Sequence, residues 1–275
     1  MAEAVDPPFD RPDRDFNALS GWTWVGTYGG YYLQCNLLQS FEHGFFTRQW
    51  QGRGPEVLAA YVSAGVSVHR LRQVHSALVL PASQAGTDPW PEADGLVSDA
   101  GGQSLWACGA DCTPVLIADP VSGRVAACHA GWRGVAGGIL SRALQQLLAV
   151  GSRPADLLVA LGPAIGGSSY QVERVVSEQV AAALDPHAAR PGDPAELPAL
   201  LEQLRQCGAL QADPDPKRDR LDIRLAAQLQ LERLGVPKAQ IGICPLCTAS
   251  EPLLFHSWRR DQVKAVQWSG IVSQN

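Results

Sequence analysis

At 275 residues, 46% of them apolar, the chain can bury a sizeable core, and its net charge of −5 argues against a general nucleic-acid binder. No run approaches the roughly 18 uninterrupted apolar residues of a membrane helix. Nucleic acid and membrane are therefore excluded as expected partners, which leaves a small molecule.

The N-terminus, "MAEAVDPPFDRPDRDF", is acidic and proline-rich. It lacks the basic and apolar regions of a secretion signal. Residues 1–20 are expected to be a flexible segment of a cytoplasmic protein, and residues 21–275 one catalytic domain. "GWTWVGTYGGYYLQCNLL" reads as a hairpin, "HGFFTRQW" as a short strand or loop, and "GPEVLAAYVSAGV" as a short helix. "SVHRLRQVHSALVLP" alternates polar and apolar residues and reads as strands. "EADGLVSD" is a turn into a short strand, and "SLWACGADCTPVLIAD" is strand, loop, strand. "SGR" at 122–124 turns the chain back into "VAACHA". "GVAGGILSRALQQLLAVG" carries apolar residues at helical spacing, with Gly151 as its stop. "DLLVALGPAIGGSSYQV" is a buried strand entering a glycine-rich loop, "ERVVSEQVAAAL" a helix, residues 186–219 a surface excursion, and "RLDIRLAAQLQLERLGV" a helix. The end is strand-rich. Mixed elements without regular βαβ alternation predict an α+β fold, a layered sandwich with a mixed sheet.

Seven cysteines with no secretion signal are expected to be reduced thiols, most of them small buried hydrophobes. Cys112 is the exception. It precedes Thr-Pro at the mouth of a strand, and Pro114, lacking an N–H, marks an edge or a loop exit there. That places Cys112 nearer the surface than Cys108 or Cys128. The turn at 122–124 brings His129 to the same open end. A thiol beside an imidazole is either a nucleophilic pair or part of a metal site. A metal requires a third ligand, and His75 in "RQVHSALV" is the best candidate. His69 has the wrong parity to share its strand face. Arg133 opens the helix after "HAG", and with Arg48 of "FFTR" it is a candidate to hold an anion. Asp111 is either an acceptor that orients a ligand or substrate, or a turn residue. Trp132 is expected mainly in the core. The lone "CPLC" reads as structural, and "GPAIGGSSY" as a tight turn or a backbone wall beside the site.

The elements "HGFFTR", "QVHS", "ADCTPVLIAD", "HAGWRG", "GPAIGGSSYQV", "LDIRLAA" and "FHSWRRD" occur in an order that resembles one known family. Its members were once labelled multicopper polyphenol oxidase or laccase domain proteins. They are now regarded as zinc-dependent purine nucleoside phosphorylases, and they include a bacterial peptidoglycan editing factor. The resemblance spans roughly residues 22–273. It implies a zinc ion (Zn2+) on His75, Cys112 and His129, with Cys112 and His129 as the catalytic pair. The implied fold is a sandwich similar to a toxin-deamidase-like cysteine hydrolase. The implied reactions are phosphorolysis of adenosine, guanosine, inosine and methylthioadenosine, and deamination of adenosine. Nucleoside and phosphate are then the partners, and Arg48 and Arg133 the substrate-binding residues. Ser76 stands where glycine is usual, "FHSWRRD" replaces a more aromatic element, and the 186–219 excursion is longer than expected. An oxidase is disfavoured, because one methionine and six histidines are too few for a multicopper centre. A Cys–His hydrolase or amidase that edits peptidoglycan precursors is the main alternative, and a partner-binding module without turnover is another. Nothing resembles a coiled coil, and a monomer is expected.

Overall fold

The computed structural model describes residues 18–27, 29–184 and 195–274. The expected flexible N-terminus therefore lies outside the described residues up to residue 17, as do the first residues of the excursion up to 194. Two large sheets stack face to face. One has seven strands, in the order Ala18–Leu19, Trp22–Thr27, Gly30–Cys35, His43–Phe46, Gln267–Val272, Gln103–Gly109 and Ser67–His69. It is antiparallel except for the pairing of its last two strands. The other has six, in the order Ile241–Ile243, Leu158–Leu161, Thr113–Ala118, Val125–Ala130, Gly95–Val97 and Val79–Pro81. Its centre is antiparallel and both outer pairings are parallel. A three-stranded sheet of Gln171–Glu173, Arg218–Leu221 and Leu210–Ala212 stands apart. The mixed layered architecture agrees with the expectation.

The two-residue period of strands explains the layering. In Thr113–Ala118 every side chain is buried. Leu116 and Ala118 face the seven-stranded sheet, where they meet Leu33, Phe45 and Leu105. Val115 and Ile117 face away, into a cluster with Ile139, Leu144, Ala227 and Leu231 of the covering helices. A strand buried on both faces reads as an unbroken apolar run, which "PVLIAD" is. The outer face of the seven-stranded sheet buries Tyr32, Phe46 and Trp106 under Leu58 and Ala59 of the helix Pro55–Val62. The layers are thus helix, sheet, sheet, helices.

Gly162 shows how closely the sheets meet. A Cβ there would lie 2.3 Å from the ring of Phe45 and 2.9 Å from Pro114 Cγ. Phe45 is fully buried and has no room to yield. Gly162→Ala is expected to cost about 1–3 kcal/mol by overpacking. Urea unfolding checks this, and an unchanged midpoint would contradict the close approach.

Three local readings change. The long helix after "HAG" is two helices, Trp132–Ala136 and Ile139–Ala149. Gly138, with φ of +79°, takes the left-handed conformation that breaks it, and a Cβ on Gly137 would lie 2.9 Å from that of Ala77. "SVHRLRQVHSALVLP" forms only the short strands Ser67–His69 and Val79–Pro81, with a loop between. From residue 195 the excursion is ordered: the helix Leu197–Gln206 buries Leu200 and Leu204, and two of the three small-sheet strands follow it.

Candidate metal centre

Gln103–Gly109 and Thr113–Ala118 belong to different sheets, so Ala110, Asp111 and Cys112 carry the chain from one sheet to the other. Asp111 has φ of +101° and is buried. Its carboxylate accepts from Thr248 Oγ1 at 2.6 Å and from the Arg259 amide at 2.7 Å, which fixes the crossing. Asp111 therefore secures the turn and touches neither imidazole. Cys112 sits one residue ahead of its strand, half-buried. His129 lies opposite Pro114 in the antiparallel register, so the hairpin delivers thiol and imidazole to the same end. Pro114 is close to the start of a central strand, so of the two readings it marks the loop exit and not an edge.

His75 joins them from the loop, not from a strand. Its φ of +61° turns the chain so that its ring stands 4.8 Å from that of His129, at 75°. One ligand atom from each of His75, Cys112 and His129 lies within 4.8 Å of the others. Strand parity is not what separates His69 from the site. Its two ring nitrogens are engaged by Ala82 O and Ser67 Oγ. The backbone makes room for the cluster at Gly131, where a Cβ would lie 2.6 Å from Cys112 Sγ.

Asp94 organises this arrangement. Its carboxylate accepts from the amides of Val74, His75 and Ser76 at 3.2, 3.0 and 2.6 Å. It also accepts from Ser76 Oγ at 2.8 Å and His129 Nδ1 at 2.9 Å. A carboxylate only accepts, so Nδ1 of His129 carries the proton and Nε2 is left to face the thiol. Burial raises the Asp94 pKa, but the bonds from His129 and Ser76 outweigh it and hold the carboxyl at about 2. Burial likewise disfavours the Cys112 thiolate, and His129 and His75 outweigh that and bring the thiol down to about 6. Burial lowers His129, while Asp94 and the thiolate lift it to about 9. In the metal-free protein a thiolate therefore faces an imidazolium between about pH 6 and 9. Cys108, Cys128 and Cys244 are each pushed up to about 12 by burial. Absorbance near 240 nm is thus expected to show a thiolate step near pH 6 that Cys112→Ser removes. A first step near pH 9 would contradict the geometry.

The donor set fits a soft or borderline metal. Tetrahedral zinc with S and N bonds of about 2.0–2.3 Å places its ligand atoms about 3.5 Å apart, a small contraction of this cluster. Among the described residues no other group of three donors has metal-ligand spacing. His43 has both ring nitrogens engaged, by Cys35 N and Phe41 O.

The cluster forms one wall of a cavity of about 570 Å³. Trp132, Arg133, Tyr170, Arg259 and Lys264 line it elsewhere, together with Cys108 and Asp111. Cys108 is thus half-buried like Cys112, contrary to expectation, whereas Cys128 is fully enclosed. Trp132 packs on the core and lines the cavity as well. Arg48 is not among the lining residues. Its guanidinium donates to Pro252 O, and its amide to Leu254 O. Arg259 lines the cavity instead, its guanidinium 5.1 Å from the Tyr170 ring. "FHSWRRD" signalled it, since Trp258 and Arg259 lie within that element and the lining segment 263–266 follows it. Asp94 gave no such signal, because "EADG" reads only as a turn. The "CPLC" cysteines are structural. Cys244 is buried, Cys247 Sγ accepts from Gly166 N at 3.1 Å, and Arg224 binds the carbonyls of Cys244 and Leu246.

A stacked pair of mixed sheets thus carries, at the end of a hairpin, a His–Cys–His cluster that could hold a metal and that opens on a cation-lined cavity. The chain belongs to the family described as multi-copper polyphenol oxidoreductase laccase, which it matches over residues 55–273. A Synechocystis protein named purine nucleoside phosphorylase is 41% identical over 258 residues, covering 92% of this chain and 97% of that one. The crystal structure of YlmD from Geobacillus stearothermophilus superposes with a TM-score of 0.75 at 25% identity, covering 92% of this chain and 99% of that one. The structure of YfiH from Bacillus licheniformis gives 0.72 at 26% identity, covering 88% and 96%.

Proposed function

We propose that the chain is a purine nucleoside phosphorylase that holds one zinc ion on His75, Cys112 and His129. The observation that carries this reading is the cavity, in which the His–Cys–His cluster shares one space with three cationic side chains and the aromatic rings of Trp132, Tyr170 and Trp258. Zinc, when bound, would supply a Lewis acid at its fourth position. Arg133, Arg259 and Lys264 suit a phosphate, for which guanidinium donors are well shaped. Arg48 is replaced in this role by Arg259. Trp132 and Tyr170 present rings against which a purine can lie. In phosphorolysis a phosphate oxygen bonds to C1′ as the glycosidic bond breaks, releasing base and ribose 1-phosphate. Adenosine, guanosine, inosine and methylthioadenosine share that bond and are the proposed substrates. Adenosine deamination, in which water displaces ammonia at C6, is proposed as a second activity of the same cavity.

The donor set alone suits copper as well as zinc. Multicopper chemistry needs further centres, and the single cluster among the described residues favours the one-metal reading. Free thiols at all seven cysteines, and no helix among the described residues long and apolar enough to cross a membrane, support a cytoplasmic enzyme. We propose that it acts as a monomer on small molecules, without nucleic acid.

Incubation with adenosine, with and without phosphate, tests the reading by chromatography of the products. Adenine and ribose 1-phosphate are expected only with phosphate, and inosine in both mixtures. Unchanged adenosine with the zinc-loaded protein would sink it. A second reading is favoured by one alignment, Cys112 to His129 to Asp94, which has the order of nucleophile, base and orienting acid. It would make the chain a cysteine amidase acting on a peptidoglycan precursor. Chelation separates the two: the phosphorylase loses activity, whereas the amidase keeps or gains it.

A further inference from the structure

A second concavity, of about 360 Å³, lies beside the catalytic cavity, between residues 51–54 and the segment 264–266. Lys264, Ala265 and Val266 line both spaces and so form a shared wall. Arg53, Arg70 and Lys264 line the groove, and no lining residue is acidic. The nearest acid is Glu56, 3.5 Å from Arg70 Nη1 and half-exposed. In a chain of net charge −5, this gathering of cations is local.

The two arginines are held but not satisfied. The Arg70 guanidinium lies 4.7 Å from the Trp90 ring and 5.4 Å from that of Trp268, and Trp268 lines the groove. Arg53 lies 5.0 Å from the Trp50 ring. Arg70 Nε and Arg53 Nη1 are buried and have no hydrogen-bond partner. Structural arginines elsewhere in this chain differ. Arg224 donates to Cys244 O, Leu246 O and Asp222, and Arg260 to Thr248 O, Phe255 O and Asp261. Arg70 Nε and Arg53 Nη1 are closed to solvent, and Arg53 Nη1 lies against Gly29, so a ligand in the groove would meet the other atoms of the two guanidinium groups. The eight-residue helix Pro55–Val62 begins at the same place. Its N-cap, Gly54, lines the groove, but the Glu56 carboxylate lies over it, since a Cβ on Gly54 would meet Glu56 Oε2 at 2.6 Å. Aromatic faces that fix two guanidinium planes, with an ammonium beside them, match the phosphate group, a compact oxyanion with several acceptors.

We propose that this groove binds the phosphate group of a small ligand, either free phosphate or a nucleoside 5′-monophosphate whose base can lie on Trp268. Binding is read without turnover, so the outcome does not depend on the nucleoside reading above. The test is calorimetric titration of the full zinc-loaded chain with inorganic phosphate, and separately with adenosine 5′-monophosphate. Three variants are compared: Arg53→Gln with Arg70→Gln, Gln51→Glu, and Arg133→Gln in the catalytic cavity. Gln51 is exposed and lines the groove, so placing a negative charge there leaves the core intact if the arginine pair proves necessary for folding. One binding event is expected to weaken at least about tenfold in the first two variants and to persist in Arg133→Gln. Tighter binding of the monophosphate than of phosphate identifies the nucleotide as the source, and equal affinity identifies phosphate alone. Absence of saturable binding of both probes, or affinity unaltered by Gln51→Glu, overturns the proposal.

Discussion

Cys112→Ala is expected to empty the metal site and to lower kcat/KM for phosphorolysis by about a thousandfold or more. Two imidazoles without the thiolate are a poor zinc site, because a catalytic zinc is held by three protein ligands. The fold should persist, since Cys112 stands ahead of its strand and outside the apolar clusters that hold the sheets together. Metal analysis of the purified variant, its circular dichroism and its product chromatogram together decide the matter. Full turnover in a metal-free, folded Cys112→Ala protein would remove the site from the reaction altogether.

Asp94→Asn is expected to have the second largest effect, although Asp94 touches no substrate. Five donors converge on its two oxygens. An asparagine keeps one oxygen and turns an N–H₂ toward the remaining donors, so a buried repulsion replaces charge-assisted bonds. Metal affinity should fall about 10- to 100-fold as His129 loses its orientation. Stability should fall by about 2–4 kcal/mol. Competition with a chelator measures the first, and urea unfolding of the metal-free protein the second. The pH dependence follows from the sign of the shift. Asp94 titrates at about 2 in the folded protein against a usual 3.8, so its contribution is present above about pH 4 and disappears between 4 and 2. The variant should lack that loss. Equal metal affinity in both proteins would show that the carboxylate serves only the loop.

The legible part of this site was the part with short sequence separation. A turn at 122–124 and two apolar runs suffice to pair 113–118 with 125–130, and Cys112 and His129 follow from that register. His75 was found through its residue type and the need for a third ligand, but its placement rests on a left-handed backbone that alternating "VHSALV" conceals. Asp94 was invisible for a different reason. Its role is to accept from three consecutive amides 18 to 20 positions earlier and from an imidazole 35 positions later, and no local pattern encodes such contacts. The division of the strands between two sheets was equally hidden. "SLWACGADCTPVLIAD" looks like neighbouring strands, yet the crossing at Asp111 is held by Thr248 and Arg259, far along the chain. Arg259 and not Arg48 lines the cavity, because an arginine after a strand says nothing about which way its long side chain reaches. Helix boundaries after "HAG" followed from glycine conformation more than from apolar spacing.

Asp94 ties the loop that carries His75 to the strand that carries His129, so the mutual placement of the two imidazoles depends on a single carboxylate. A substitution that shifts the loop 74–76 is therefore transmitted to the His129 ring through that carboxylate, although loop and strand lie far apart in the chain.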